Sequence, residues 1–345
     1  MPPVGSPSGS VVITCRERFS TSIESLESVL STVPAGTQVI FVDAGSPPSI
    51  AAELARAAES HDFLLLRTDE YISPNAARNL AFPYVEHDFV AFVDNDLLFE
   101  PGWLERMVEC AQDSGAWLVS PTIVQQGKFG SVIHMVGGEC GIHVEDGKRR
   151  FREVHELMGR PLDEMPALSR QPIGYVEFHC VLMRRPAFES CIPLDEELRS
   201  ARDHCDLTLT VEQHGGNTWL EPSAVVTQMA MPDRLPRVDR RYYALRWSDA
   251  WNRASLRRFQ EKWDLDPADP MDTHDLLWLS VHRLYGNRAY GGLAGTLPSR
   301  PRRVAIRVAD RATQTLISLK RPLRSPSEAP RVVHAPSKVA AAQSE

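Results

Sequence analysis

Between residues 11 and 119 the chain alternates short, unbroken apolar runs with longer stretches of helical spacing, and few folds accept that pattern. The apolar runs are 11–14 (VVIT), 38–43 (QVIFVD), 63–66 (FLLL), 89–93 (FVAFV) and 117–119 (WLV). Ile23, Leu26, Leu30 and Val33 recur at helical intervals. Residues 49–59, 75–85 and 101–114 also read as helices, the last two entered through prolines. Strands without polar alternation are buried on both faces. Interleaved with helices, they predict an α/β fold: a mostly parallel sheet flanked by helices.

The rest of the chain is less regular. Residues 121–175 read as hairpins and loops around Gly137-Gly138, a pair that suits a tight turn. Residues 176–183 read as a central strand, 202–214 as a helix ended by Gly215-Gly216, and 218–220 and 224–226 as short strands. An aromatic helix is expected over 242–263, with Tyr242, Tyr243, Trp247, Trp251, Phe259 and Trp263 packing on the sheet or walling a sugar site.

Composition narrows the class. The 345 residues suit about two domains, or one large domain with additions. With 43% hydrophobic and 24% charged residues, a mostly disordered chain, a collagen and a coiled coil are excluded. No apolar run approaches the roughly 20 residues of a membrane-spanning helix, and MPPVGSPSGS lacks the pattern of a secretory signal. A cytoplasmic protein is expected. Six cysteines without a CxxC pair read as reduced thiols, and the spacing of His179-Cys180, Cys191 and His204-Cys205 matches no common zinc pattern. Residues 300–345 hold ten Lys or Arg against three Asp or Glu, so the net −7 of the whole leaves −14 on residues 1–299. An acidic body with a basic tail argues against nucleic acid and for contact with anionic lipid.

Three motifs can carry chemistry. Asp94-Asn95-Asp96 follows a hydrophobic strand, where open α/β sheets bind ligands. Two carboxylates there can hold Mg²⁺ or Mn²⁺, and the ion can hold a diphosphate; the bland alternative is a turn. Asp43-Ala44-Gly45-Ser46 ends an earlier strand and can accept hydrogen bonds from a base or ribose. Asp203-His204-Cys205-Asp206 opens a helix, either as a cap or as the source of a general base. Glu177 and His179, two apart on an expected strand, would face one side and line a pocket or satisfy the fold. Trp103 serves helix packing or sugar stacking. The first strand lacks a following GxGxxG, which argues against a dinucleotide oxidoreductase.

In this order the motifs resemble family 2 glycosyltransferases of the GT-A (Rossmann-like) fold over residues 10–228. Val11 to Arg16 looks like the opening strand and its nucleotide-contacting loop. Ala77-Arg78-Asn79 looks like the segment leading to the metal strand, and Asp94-Asn95-Asp96 is the Asp-x-Asp. Asp203-His204-Cys205-Asp206-Leu207 stands where many members have Glu-Asp-x-Asp-Leu.

The resemblance implies an inverting transfer from a nucleotide-diphosphate sugar, of UDP or dTDP type, to a glycan or lipid-linked acceptor. Thr14, Arg16, Asp43, Arg78, Asn79, Asp94 and Asn95 would contact the donor. Asp94 and Asp96 would hold the divalent metal, Mn²⁺ or Mg²⁺. Asp203 is the first choice of base, with Asp206 the alternative and His204 a group that orients the acceptor or takes the proton itself; Glu177 and His179 would bind the acceptor. Many relatives carry a further metal-binding His where Thr227-Gln228 stands here. The third ligand is then absent, water, or a residue such as His134 or His179, with Gln228 able to offer only a weaker oxygen. A catalytically silent sugar- or nucleotide-binding protein and a sugar-nucleotidyltransferase are the rivals.

The expected organisation is a disordered 1–9, a GT-A domain over 10–230 (nucleotide-sugar half 10–120, acceptor half 121–230), and a helical extension over 231–298. A basic amphipathic helix over 299–324 and a disordered tail over 325–345 follow. Within 302–321, Val304, Val308, Ala312, Leu316 and Leu319 form an apolar stripe, suited to packing on the body or lying on the inner membrane face.

Overall fold

The computed structural model describes residues 9–127, 130–232, 235–267 and 330–336, with single positions 279, 304, 308, 310–312, 314 and 315. Of the segment 1–9 expected to be disordered, residues 1–8 lie outside the described residues and Gly9 is buried, and most of the 299–324 helix also lies outside them. The described positions of that helix are helical, and Val304 and Val308 are exposed.

The chain begins as the alternation predicts. β1 (Ser10–Thr14), β2 (Gln38–Ala44), β3 (Leu64–Thr68) and β4 (Phe89–Asp94) pair in parallel in the order β4-β1-β2-β3. α1 (Ser22–Thr32), α2 (Pro48–His61) and α3 (Pro74–Ala81) connect them. Every residue of β1 is buried, as expected of a strand covered on both faces. Ser73 caps α3 by accepting from the Ala76 N–H, with Pro74 in the first turn. The helix expected over 75–85 stops at Ala81 and tightens into a 3₁₀ turn, Phe82–Tyr84, because Pro83 cannot donate a helical hydrogen bond.

The second half adds antiparallel strands. β5 (Leu97–Phe99), α4 (Trp103–Ser114), β6 (Leu118–Gly127) and β7 (Gly130–Met135) lead to a separate hairpin, β8 (Gly138–Glu145) and β9 (Lys148–His155). β10 (Gln171–Pro172), β11 (Cys180–Arg184), α5 (Arg185–Cys191), α6 (Asp203–Gln213) and β12 (Thr218–Gln228) follow. β11 inserts between β4 and β6, antiparallel to β4, and completes the central order β12-β6-β11-β4-β1-β2-β3. The tight turn expected at Gly137-Gly138 is instead the entry to β8, where Gly138 pairs with His155 and a Cβ would stand 2.2 Å from the Val154 carbonyl oxygen.

Several boundaries differ from the sequence pattern. The central strand starts at Cys180, not 176, so Glu177 and His179 precede it and share no strand face. The two strands around Pro222 are one, β12, whose pairing with β6 shifts between Glu221 and Val225. The helix over 242–263 is two, α7 (Arg240–Arg246) and α8 (Asp249–Lys262), because Ser248 caps a new start by accepting from the Trp251 N–H. The tail expected to be disordered from 325 contains β13 (Arg331–His334), antiparallel to β3 at the sheet edge. Trp103 packs fully buried against Phe99, with ring centroids 4.6 Å apart, out of reach of a sugar.

α7 belongs to the fold of the first half. Asp239 accepts from the Phe19 and Ser20 N–H groups (2.8 and 2.9 Å), and the Tyr242 hydroxyl donates to the Cys15 and Ile72 carbonyls. Phe19 and Tyr242 stack at 4.9 Å. The loop after β1, which carries Arg16 and Arg18, is thereby pinned from the far end of the chain.

Candidate active site

The site begins where β4 ends. Asp94 is its last residue, and the Asn95-Asp96 turn leads into β5. The Asp94 N–H donates to the His179 carbonyl (2.9 Å) and the Asn95 N–H to the Thr14 carbonyl (3.1 Å), so three segments meet here. Both carboxylates are essentially buried. Buried charges need partners, and arginines supply them. Arg16 Nη1 lies 3.1 Å from Asp94 Oδ2, Arg78 Nη2 lies 3.7 Å from Asp94 Oδ1, and Arg18 Nη2 lies 3.1 Å from Asp96 Oδ2.

His179 enters the same group. Its Nδ1 is 2.9 Å from Asp94 Oδ2, and one ligand atom from each of Asp94, Asp96 and His179 lies within 4.8 Å of the others. Asp94 Oδ1, Asp96 Oδ1 and His179 Nδ1 are buried and meet no partner at a hydrogen-bonding angle. Two carboxylates and one imidazole, with buried ligand atoms left over, fit a divalent cation. Gln228 does not compete: its amide N–H donates to Asp96 Oδ2 (3.3 Å), and its oxygen accepts from Gln125 (3.2 Å).

Arg78 joins this group to the start of α6. Its Nη1 donates to Asp203 Oδ2 (3.1 Å), and its guanidinium lies 3.6 Å from the centre of the Phe178 ring. His204 Nδ1 lies 3.3 Å from Asp203 Oδ1. Burial would raise the Asp203 carboxyl, but the His204 hydrogen bond and the Arg78 charge hold it far below the usual carboxylate range. Burial works against a charged His204, yet Cys205 and the hydrogen-bonded Asp203 raise it to about 10. Asp206 faces elsewhere. Lys262 Nζ (2.8 Å) and Trp263 Nε1 (2.9 Å) donate to it from the end of α8, and burial raises its pKa.

Asp43, at the end of β2, accepts from the Ser46 N–H (2.8 Å) and pairs with Arg67. Thr14 is buried with its hydroxyl unpartnered. Two of the residues expected at the donor spend their amides on the chain itself. Asn79 donates to the Leu194 carbonyl and accepts from the Leu194 N–H (2.9 and 2.8 Å). Asn95 donates to the Arg18 carbonyl and to Ser22 Oγ and accepts from the Arg16 N–H.

The family model described as "Glycosyl transferase family 2" matches residues 10–191, more than half of the chain. The chain belongs to glycosyl transferase family 2. It is 29% identical over 198 residues to the pre-mycofactocin glycosyltransferase of Mycobacterium tuberculosis, covering 55% of this chain and 37% of that one. It is 25% identical over 224 residues to the succinoglycan biosynthesis protein ExoO of Rhizobium meliloti, covering 63% of this chain and 59% of that one. It therefore spans well under two thirds of the length of either relative. Its fold is similar to that in the crystal structure of GalNAc-T7 with UDP, GalNAc and Mn²⁺, with a TM-score of 0.53 and 14% identity over 81% of this chain and 56% of that one. That likeness shows the GT-A fold.

A second polar group surrounds Glu177, and His155, Tyr175 and Glu153 join it without any motif to announce them. Glu177 sits among four polar neighbours. His134 Nε2 is 2.8 Å from Oε2, the Tyr175 hydroxyl donates to Oε1 (3.0 Å), and His179 Nε2 and His155 Nδ1 lie 3.6 and 3.8 Å away. Burial would raise Glu177, but His134, His179 and His204 hold it well below the carboxylate range. Burial lowers His155. On β9, Glu153 pairs with Arg202 and His155 and reaches within 3.6 Å of His204. Among the described residues, Cys180 and Cys191 join no group able to hold a metal. No helix among them is long and apolar enough to cross a membrane.

Proposed function

We propose that this chain is an inverting, metal-dependent glycosyltransferase that moves a sugar from a nucleoside diphosphate to an acceptor hydroxyl. One observation supports the reading: Arg78 bridges Asp94 of the Asp94–Asp96–His179 group to Asp203, so the proposed cation ligands and the proposed base are joined through one guanidinium. Asp94, Asp96 and His179 are the residues that would hold Mn²⁺ or Mg²⁺. The bound cation would neutralise charge on the departing diphosphate. Asp43 would take the base or ribose, and Arg16 the diphosphate. Asp203 would accept the acceptor proton as the hydroxyl oxygen bonds to the anomeric carbon and the carbon–diphosphate bond breaks. Its low pKa keeps it ionised, and the activated donor demands little of the base. Asp206, held by α8, supports the helix that presents Asp203.

Of the proposed UDP- or dTDP-type donors, UDP agrees with a ligand of the GalNAc-T7 structure, and of the proposed glycan or lipid-linked acceptors, a glycan agrees with the name of the succinoglycan biosynthesis protein. Residues 302–321 would add peripheral contact with the inner membrane face. The test is a thermal-shift panel of UDP, dTDP, GDP and CDP with and without Mn²⁺. One diphosphate should raise the melting temperature only with metal, by the equivalent of about 2.7 kcal/mol at 100 times its Kd, and Asp96→Ala should remove the shift. If none shifts it at millimolar concentration, the reading fails and a silent binding protein takes its place.

A further inference from the structure

We infer that Glu177 is a positioning residue that holds the His179 ring in the one protonation form that lets it ligate the cation, and that Arg16 favours the opposite form. The inference rests on the cation site proposed above. A neutral imidazole carries one N–H, and an arginine can only donate. Arg16 Nη1 stands 3.0 Å from His179 Nε2, and a hydrogen bond between them requires Nε2 to be the lone-pair nitrogen, which places the proton of a neutral ring on Nδ1. Nδ1 is the nitrogen that faces Asp94. For Nδ1 to give its lone pair to a cation, the proton must sit on Nε2 instead.

A carboxylate stands beside Nε2, just beyond hydrogen-bonding distance, and a small shift of the ring would bring the two together. Glu177 Oε2 lies 3.6 Å from Nε2 on a carboxylate fixed by His134 on the same oxygen and by Tyr175 on the other. Ligating histidines generally donate their second N–H to such a carboxylate, which fixes the ring and raises its basicity. Arg16 cannot stay beside an N–H and would be released. Its side chain is 16% exposed at the edge of the site, and its other partner is Asp94. Cation binding and the freeing of Arg16 for an anionic ligand are therefore coupled through one ring.

The test is Mn²⁺ binding to the full chain, read by electron paramagnetic resonance of the free aqueous ion. Glu177→Gln should weaken binding by about 10- to 100-fold. Arg16→Gln, which removes the competing donor, should tighten it. Glu177→Asp, which keeps the charge but withdraws it by a methylene, should fall between parent and Glu177→Gln, and it carries the test if Glu177→Gln does not fold. If the Glu177 variants bind Mn²⁺ as the parent does while Asp96→Ala and His179→Ala lose it, the inference is wrong and the cation site stands. If Asp96→Ala and His179→Ala also bind unchanged, the cation reading itself is wrong.

Discussion

The parallel strands β1 to β4 and the region built from β7, β9, β11 and α6 both bury acidic groups, but they neutralise them differently. Around β1 to β4, arginines pair with the carboxylates: Arg16 and Arg78 with Asp94, Arg18 with Asp96, Arg67 with Asp43. In the second region histidines do much of that work, with His134, His155 and His179 around Glu177 and His204 beside Asp203. Guanidinium is charged at every working pH, whereas imidazole changes state within it. The first region is thus a fixed electrostatic frame, and the second is where protonation can be adjusted.

The largest effect should come where the two regions meet. Asp203→Asn removes the proposed base and should lower the kcat of the folded protein by about 10²- to 10⁴-fold; because it also leaves Arg78 and His204 without their shared carboxylate, the melting temperature should fall as well. A variant with near-parental kcat would move the base elsewhere. Arg78→Ala leaves Asp94 and Asp203 buried without their shared cation, and should cost about 3–5 kcal/mol in denaturant unfolding. A loss below 1 kcal/mol would show that the bridge is not what joins the regions.

Two smaller effects sharpen the contrast. Asp206→Asn should cost about 1–3 kcal/mol through its Lys262 and Trp263 partners, while kcat stays within about tenfold of the parent. A larger kcat loss would restore Asp206 as the base. His204 supplies a pH signature. Its pKa is raised in the folded chain, so its contribution is full below the ordinary histidine value of 6.5 and is lost as pH rises toward about 10. The parent's melting temperature should therefore decline more steeply over that window than that of His204→Gln. Parallel curves would mean that His204 is not held charged by Asp203.

The same contrast explains what the sequence disclosed. Asp43, Asp94 and Asp96 sit at or just beyond strand ends, and an unbroken apolar run announces each strand end. Asp203 was legible because it opens a helix. His179 joins Asp94 and Asp96 although it comes from the approach to β11 and not from the stretch at 227–228, where a histidine was missed. His134 was named as a possible third metal ligand but pairs with Glu177, and Glu153, His155 and Tyr175 were not legible as site residues. They lie in separate segments brought together by antiparallel pairing and by the β8–β9 hairpin, and no spacing within the chain records that. Asn79 and Asn95 show the reverse: their motifs were visible, but their amides hold loops. The role of α7 escaped for a related reason, since Asp239 and Tyr242 clamp a loop more than 200 residues earlier.

The central claim is that one cation site draws its ligands from both regions, Asp94 and Asp96 from one and His179 from the other. Anomalous diffraction from crystals grown with Mn²⁺ and a nucleoside diphosphate tests it directly. The account predicts a single manganese peak bonded to Asp94, Asp96 and His179, with the Arg16 side chain moved off His179 Nε2. A peak held without His179, or no peak in a crystal that contains the bound nucleotide, would contradict it.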